Sequence, residues 1–422
     1  MKFKKKTLSN GLRVISIPEK DALAPTVLVL VEAGSKYEKK SINGLSHFLE
    51  HMCFKGTAKR PKALDISAEF DALGAQYNAF TSQEYTGYYA KVEPRHFKKA
   101  VDIVADLYLN PVFDANEIEK EKGVIIEEIN MYEDLPHRRV GELLMSLMYG
   151  DQPAGWGIAG EKEVIRILNR ENFIDYRNKH YVAKGTIVVV AGKFDEKVIM
   201  SEIQKSFSAI PKTAKHTKIK TKKGEVGPRV HVQHKQSDQT HIAIGLNSEA
   251  VSSKNYYTAE VLASVLGGGM SSRLFQVVRE ELGAAYYVRA GVDAYTDHGI
   301  FGVSAGIHHE KIRIVIQAIM DELKKLSSTL VEEKELARVK DYLVGNLMLS
   351  LEKSDEIANY FGGQEVLGQE LKSPLEIAKL IRAVTPKAIR DLAKKTFKTE
   401  NLHLAIIGPF KEKEEFVKLL SL

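Results

Sequence analysis

The stretch His47-Phe48-Leu49-Glu50-His51 decides the interpretation of the first half of this chain. At the 100° per residue of an α-helix, His47, Glu50 and His51 fall on one face. The opposite face is apolar and is predicted to pack against the core: Leu45, Phe48, Leu49 and Met52. The segment is therefore predicted to be an amphipathic helix that presents two imidazoles and one carboxylate on its polar side.

The polar face has the composition of a metal site. Imidazoles four residues apart lie one helical turn apart, and zinc accepts neutral imidazole and carboxylate ligands. The order H-x-x-E-H is the reverse of the H-E-x-x-H pattern of zinc peptidases. Glu50 lies on the same face but is not needed as a ligand, so it can take a proton from water. Two surface histidines beside a glutamate would give the same five residues, so the pattern alone does not decide.

Length and composition limit the classes to which the chain can belong. A chain of 422 residues is too long for one ordinary core, which favours two domains. The net charge is +6, and the densest basic run, residues 212–223, lacks interleaved aromatic residues, so nucleic-acid binding is not expected. The single cysteine, Cys53, excludes an intramolecular disulfide framework and is expected to pack in the core. Neither a membrane span nor a signal-peptide core is present in the sequence, which predicts a cytoplasmic protein.

A long acidic helix is predicted at residues 117–132. Glu121 and Glu128 are seven residues apart, so they share one face of this helix, whereas Glu127 points about 100° away from Glu128. A solvated helix explains any one of these glutamates equally well. The spacing alone therefore does not single out a metal ligand.

The chain contains an internal repeat. Residues 191–194 (AGKF) recur as 407–410 (IGPF), and the pattern of residues 92–106 recurs at 307–321. The repeat predicts an α+β fold of two duplicated α/β domains, each an antiparallel-rich sheet with helices packed on one face. A lysine-rich stretch without hydrophobic period separates them, so we predict a first domain at 1–210, a linker at 211–227 and a second domain at 228–422.

The predicted duplication is chemically asymmetric. The positions of the two histidines and the glutamate of the first half correspond approximately to Ala259, Leu262 and Ala263 in the second. Glu128 corresponds approximately to Asn346. Only the first domain is therefore predicted to bind a metal.

The sequence HFLEHMCFKGT at residues 47–57 resembles the active-site helix of the pitrilysin, insulin-degrading enzyme and mitochondrial processing peptidase family, whose members are zinc metallopeptidases (inverzincins). In that family a glutamate about 76 residues after the second histidine is the third zinc ligand. Here the 76 residues 52–127 precede Glu128. The resemblance therefore assigns Zn²⁺ to His47, His51 and Glu128, and a supporting role to Glu121. It covers essentially the whole chain and is closest to the short, two-domain, processing-peptidase-like bacterial members.

The same resemblance implies residues that contact the substrate. Three of them match the family's edge strand, to which a substrate peptide adds by β-augmentation: Asn78, Ala79 and Phe80. Arg279 and Tyr286 match an arginine and a tyrosine separated by six residues, which the resemblance assigns to substrate holding and oxyanion stabilisation. Residues 267–274 resemble the glycine-rich loop of noncatalytic processing-peptidase subunits, although a turn that opens a helix explains them equally well.

These features predict a zinc-dependent endopeptidase that hydrolyses peptides or unfolded segments inside a closed chamber. Glu50 is expected to act as the general base and then as the acid for the leaving amine. Family members enclose the site between four domains, whereas this chain supplies two. The resemblance therefore implies a homodimer.

Three alternatives stay open at the level of sequence. A noncatalytic scaffold subunit of the same fold is disfavoured by the complete set of ligands. A heterodimer with a metal-free homologue is not distinguished from a homodimer. A metal-dependent hydrolase of non-peptide substrates is disfavoured by the peptide-pairing strand. The peptide sequence that is cut, the native metal and the role of Gly267–Gly269 do not follow from the sequence.

Overall fold

The computed structural model describes residues 1–222, 224 and 229–422. In chain order, the strands in these residues are β1 (Lys4–Thr7), β2 (Arg13–Pro18), β3 (Thr26–Val31), β4 (Gln76–Thr81), β5 (Thr86–Lys91), β6 (Thr186–Gly192), β7 (Arg229–His234), β8 (Thr240–Ser248), β9 (Ala285–Ala294), β10 (Gly299–Ile307) and β11 (His403–Gly408). The α-helices are α1 (Leu45–Cys53), α2 (Ala63–Ala72), α3 (Phe97–Leu109), α4 (Ala115–Glu133), α5 (Pro136–Tyr149), α6 (Lys162–Ile167), α7 (Arg170–His180), α8 (Glu196–Ser206), α9 (Tyr256–Gly267), α10 (Ile312–Ser328), α11 (Glu333–Ser350), α12 (Ser354–Val366), α13 (Pro374–Arg382), α14 (Pro386–Thr396) and α15 (Glu414–Leu419). No helix in this described part of the chain has the length and apolar character that a membrane crossing requires.

The chain divides into two compact units, each assembled from three stretches of sequence. Unit 1 contains Met1–Asn130, Gly157–Ile219 and Met348–Ser373. Unit 2 contains Met131–Trp156, Lys220–Leu347 and Pro374–Leu422. Residues 131–156 of the first half thus belong to unit 2, and residues 348–373 of the second half belong to unit 1. Two consecutive domains joined by a linker at 211–227 would not contain these exchanged segments. Within that predicted linker, residues 223 and 225–227 lie outside the described residues.

One sheet forms the centre of each unit, and the two sheets have equivalent strand orders. Within the described residues, sheet 1 has the order β1-β2-β6-β3-β5-β4 and sheet 2 the order β7-β11-β8-β10-β9. The pairs β2/β6 and β7/β11 are parallel, and all other strand pairs are antiparallel. The predicted antiparallel-rich α+β fold is confirmed, and sheet 1 differs from sheet 2 by its additional edge strand β1.

Helices pack on both faces of sheet 1, whereas the sequence predicted helices on one face only. Along β3, Val27 and Val29 pack into the same core as the apolar residues of α1 and α3. Leu28 and Leu30, which point the other way, pack with Phe361 and its neighbours on α12. Every residue of β3 is buried because both faces of the strand are covered.

Sheet 2 has a corresponding additional helix. Helix α5 contacts β7, β8 and β11, with Val140, Leu144 and Met148 in one apolar cluster with Ala243 and Ile407. Helix α9 contacts the same sheet through β9 and β10, and α14 contacts it through β8. Helices α5 and α12 occupy equivalent places in the repeat, and they are the helices carried by the two exchanged segments.

Helix α1 is fixed by its apolar face and by the glycine that precedes it. The face predicted to pack is buried, and Cys53 is buried with it. Gly44 has φ of +97°, and a Cβ atom there would lie 2.6 Å from the carbonyl oxygen of Ala159. Glycine is therefore required where α1 begins, because other residues would be strained and would also clash. The polar face of α1, with its histidines and Glu50, is left partly exposed.

Candidate metal centre

Three side chains from two helices of unit 1 bring their ligand atoms together. Helix α1 provides His47 and His51, α4 provides Glu128, and their ligand atoms lie within 4.8 Å of one another. Oε2 of Glu128 is 3.6 Å from Nε2 of His47 and 3.5 Å from Nε2 of His51. Tetrahedral zinc with bonds of about 2.0–2.1 Å would separate its ligand atoms by about 3.3–3.4 Å. The group therefore fits one ion, and in the described residues no second group of this kind occurs.

The two imidazoles differ in their electrostatic surroundings. Burial, together with the neighbouring His51, lowers the pKa of His47 to about 4, so His47 is neutral at pH 7 as metal binding requires. For His51, burial opposes protonation. The hydrogen bond with Glu121 and the negative charges of Glu50 and Glu128 outweigh it and raise the pKa of His51.

Glu121 orients His51 through the ring nitrogen Nδ1. Its Oε1 accepts a hydrogen bond from Nδ1 of His51 at 2.9 Å, and its Oε2 accepts one from Nζ of Lys55 at 2.5 Å. Burial opposes ionisation of Glu121, but these two hydrogen bonds outweigh it and lower its pKa. An ionised Glu121 favours the His51 tautomer with the proton on Nδ1, which leaves Nε2 free on the side of Glu128.

Glu50 lies beside the three ligand atoms without belonging to their group. Its Oε2 accepts a hydrogen bond from Oγ1 of Thr81 at 2.6 Å. Burial raises the pKa of Glu50, against the opposing effects of this hydrogen bond and of His51. A carboxylate whose pKa is raised toward neutrality is suited to exchange a proton with water.

Glu38 fixes the start of α1 through its buried carboxylate. Oε1 accepts from the Ser46 N–H at 2.6 Å, and Oε2 accepts from the Gly44 N–H at 2.8 Å and from Nδ2 of Asn43 at 3.0 Å. Gly44 has no side chain with which to cap the helix, so Glu38 satisfies N–H groups that the helix leaves unpaired. Burial raises the pKa of Glu38 to about 7, although the hydrogen bonds oppose this shift.

Strand β4 is an edge of sheet 1 and carries the three residues predicted to contact the substrate, Asn78, Ala79 and Phe80. Its one strand neighbour among the described residues is β5. Asn78 is exposed, and its Oδ1 accepts a hydrogen bond from the Ala79 N–H at 2.9 Å. An open edge strand of this kind offers main-chain groups to an extended peptide.

Arg279 and Tyr286 lie in unit 2, whereas the candidate metal ligands lie in unit 1. Arg279 belongs to a π-helical segment, Phe275–Glu281, and its guanidinium lies 4.9 Å from the ring centroid of Phe275. Tyr286 is the second residue of β9, and 74% of its surface is exposed. Both side chains are therefore accessible on unit 2, and π-helical turns are frequent at functional sites.

The glycine-rich segment that follows α9 packs closely against unit 2 itself. A Cβ atom at Gly267 would lie 2.4 Å from the Ala290 nitrogen, and one at Gly268 would lie 2.4 Å from Oγ of Ser264. The Gly268 carbonyl oxygen accepts a hydrogen bond from the Tyr342 hydroxyl at 2.8 Å. Close packing therefore accounts for the first two glycines without a substrate.

Sequence reasoning did not identify Lys55, Thr81 or Glu38 as part of the site. Lys55 follows the end of α1, so helical periodicity gave no reason to place it beside Glu121. Thr81 directly follows the three residues that match the family's edge strand, and no pattern in the sequence indicated a role for it. Glu38 precedes α1 by seven residues and reaches it through a turn of the chain, for which the sequence carries no periodic signal.

The fold and this group define the class of protein, a duplicated α/β chain with one candidate metal centre in its first unit. Comparison with known families agrees with that class. The profile described as insulinase (peptidase family M16) matches residues 13–162, and the profile described as peptidase M16 inactive domain matches residues 168–343.

Full-length relatives show the same relationship. The chain is 36% identical over 407 residues to the uncharacterized zinc protease YmxG of Bacillus subtilis, covering 96% of this chain and 98% of that protein. It is 35% identical over 405 residues to an uncharacterized zinc protease of Rickettsia felis, covering 95% and 96%. The chain therefore belongs to peptidase family M16, which confirms the resemblance found in the sequence.

Solved structures show the shared fold. A protease from Helicobacter pylori superimposes with a TM-score of 0.90 at 22% identity, covering 97% of this chain and 99% of that one. A chain of Complex III2 from Candida albicans superimposes with a TM-score of 0.85 at 20% identity, covering 99% and 100%. The fold thus occurs both in a protease and in a chain of Complex III2, so the function has to be argued from the site.

Proposed function

We propose that this chain is a zinc-dependent endopeptidase. The observation that carries the proposal is the convergence of His47, His51 and Glu128 at separations that fit one ion, with Glu50 beside them. The relatives named as zinc proteases support zinc as that ion. When bound, zinc supplies a Lewis acid that polarises a peptide carbonyl and lowers the pKa of water.

The protein's own residues transfer the proton and hold the candidate metal ligands in position. Glu50 removes a proton from the attacking water and later donates it to the leaving amine. Glu121, whose carboxylate also accepts a hydrogen bond from Lys55, keeps His51 in the tautomer that presents Nε2. Glu38 fixes the start of the helix that carries both histidines and Glu50.

The substrate is a peptide or an unfolded segment in extended conformation. The open edge of β4 pairs with main-chain groups of the substrate, and Asn78, Ala79 and Phe80 form the contact. A folded protein has its strands already paired, so this mode of binding selects unfolded chains.

Our proposal also gives roles in the reaction to two residues of unit 2. Tyr286 donates a hydrogen bond to the developing oxyanion, and Arg279 holds the substrate. The enzyme is a homodimer that encloses its substrate in a chamber, and it acts in the cytoplasm. The roles of Tyr286 and Arg279 rest on the family resemblance together with the accessibility of both side chains, and the homodimer rests on the family resemblance.

The alternative is a noncatalytic subunit, or a subunit that needs a metal-free partner for activity. The similarity to a chain of Complex III2 is the observation that favours this alternative. A scaffold would not require His47, His51, Glu128 and Glu50 together. Their convergence in one place favours the enzyme.

Cleavage of a quenched fluorescent peptide library by the purified chain tests the proposal. We expect cleavage that a chelator abolishes and that added zinc restores. Cleavage insensitive to chelator would contradict the metal mechanism. Zinc binding without cleavage of any library peptide would favour the partner-dependent alternative. A parallel panel of ester and phosphate substrates tests whether the metal serves a different hydrolysis.

A further inference from the structure

Thr81 joins the edge strand to the candidate general base. It is the last residue of β4, and its backbone is fixed by pairing with Thr86 of β5. Oγ1 of Thr81 lies 2.6 Å from Oε2 of Glu50 and 3.4 Å from Oγ1 of Thr86. The hydroxyl of Thr86 donates its hydrogen to the Ala33 carbonyl oxygen at 2.9 Å. The single hydroxyl hydrogen of Thr81 is therefore directed to Glu50.

We propose that Thr81 is a positioning residue that holds the carboxylate of Glu50 in one orientation during peptide hydrolysis. This inference rests on the proposed endopeptidase function. The hydrogen bond from Thr81 occupies Oε2, which leaves Oε1 as the oxygen that receives the proton. An O–H bond of the attacking water breaks as the Oε1–H bond forms, and that bond breaks in turn when the leaving amine takes the proton.

Thr81 can keep its hydrogen bond through both proton transfers. Oε2 accepts from the hydroxyl while Glu50 is a carboxylate, and it still accepts when the proton resides on Oε1. The carboxyl group therefore does not rotate between taking up the proton and releasing it. Removal of the hydroxyl frees that rotation, which slows the chemical step without removing any group that binds zinc.

The position of Thr81 also connects the base to the bound peptide. Asn78, Ala79 and Phe80 directly precede Thr81 on the same strand. A peptide that adds to β4 is therefore held in a fixed register relative to Glu50 by a single element. The strand that binds the substrate thus also sets the position of the base, a preorganisation of the reacting groups.

Three variants test this role through steady-state kinetics. Thr81→Val keeps the shape of the side chain but removes the hydroxyl, Thr81→Ser restores the hydroxyl, and Thr86→Val removes the neighbouring hydroxyl that does not contact Glu50. We expect Thr81→Val to lower kcat about 10- to 100-fold with little change in KM. Thr81→Ser and Thr86→Val are expected to keep most of the wild-type kcat. A wild-type kcat in Thr81→Val, a Thr81→Ser as slow as Thr81→Val, or an effect on KM alone would overturn the proposal.

A structural readout that does not depend on turnover accompanies the kinetics. In crystals of the zinc-loaded protein, we expect one orientation of the Glu50 carboxylate in the wild type and in Thr81→Ser. In Thr81→Val we expect a displaced or a second orientation. If the wild type hydrolyses no peptide, the proposed function fails on its own. An unchanged single orientation of Glu50 in Thr81→Val would overturn the positioning role in either case.

Discussion

His51 uses its two ring nitrogens for different partners, and this division determines what the site can do. Nδ1 donates to Glu121, whose pKa is lowered by its hydrogen bonds with His51 and Lys55, while Nε2 is left on the side of Glu128. The chain of contacts from Lys55 to His51 thus favours the tautomer and orientation needed for metal binding. We therefore expect Lys55, three contacts away from the candidate metal position, to contribute to metal affinity.

Replacement of Lys55 by methionine tests this chain of contacts. We expect Lys55→Met to weaken zinc binding about 10- to 100-fold, because Glu121 loses one of the two hydrogen bonds that orient it and lower its pKa. Competition with a chromogenic chelator measures the affinity. Lys59→Met is the matched control, since Lys59 pairs with Asp102 and is largely exposed. Zinc binding by Lys55→Met as tight as that of the wild type would contradict the argument.

The sequence allowed different parts of this site to be predicted for different reasons. His47, Glu50 and His51 follow from helical periodicity, and Glu128 follows from its spacing within the resemblance. Their convergence is what the structure adds. Lys55 and Thr81 could not be predicted because their contacts depend on how α1 meets α4 and β4, which no local pattern encodes.

Among the elements of unit 1, α1 is fixed at its start by one buried carboxylate, and the loop that follows α1 is fixed by another. Glu38 accepts hydrogen bonds from the first N–H groups of the helix. Beyond its other end, Oδ2 of Asp106 accepts a hydrogen bond from the Thr57 hydroxyl at 2.6 Å and pairs with Nη1 of Arg60 at 2.6 Å. Both carboxylates reside on other segments of unit 1, so α1 is fixed by tertiary contacts rather than by its own nine residues.

The pH dependence of stability tests the burial of Glu38. Burial raises its pKa from 4.5 to about 7, so between these values the folded state binds more protons than the unfolded state. The contribution of Glu38 to the free energy of unfolding is then complete below pH 4.5 and is lost as the pH rises through 7. We expect the stability of the wild type relative to Glu38→Gln to fall between pH 4.5 and pH 8 in urea unfolding. A constant difference, or one that grows with pH, would contradict the burial argument.

At the scale of the whole molecule, the exchanged segments are the main departure from two consecutive domains. Residues 348–373 belong to unit 1, and α12 covers a face of sheet 1 that would otherwise expose Leu28, Leu30 and Val189. The duplication itself could be predicted from the recurring sequence patterns. The exchange of segments could not be predicted, because the apolar residues of α12 do not indicate which of the two sheets the helix covers.

Replacement of Phe361 tests the contribution of α12 to unit 1. The side chain is fully buried against sheet 1 and lies 5.0 Å from the ring of Phe3. We expect Phe361→Ala to lower the free energy of unfolding by about 3–5 kcal/mol, because it leaves a cavity in this core. Leu349→Ala, in the same exchanged segment but 68% exposed, is expected to change stability by less than about 0.5 kcal/mol. Equal effects of the two substitutions would contradict the packing role of α12.

A parallel assay of zinc content and peptide hydrolysis in Glu50→Gln provides the most direct test of the proposed mechanism. In this mechanism, the residues that hold the metal are distinct from the residue that moves the proton. We therefore expect one zinc per chain to be retained while turnover falls by about 10²- to 10⁴-fold. Hydrolysis at the wild-type rate, or loss of the zinc, would contradict that separation.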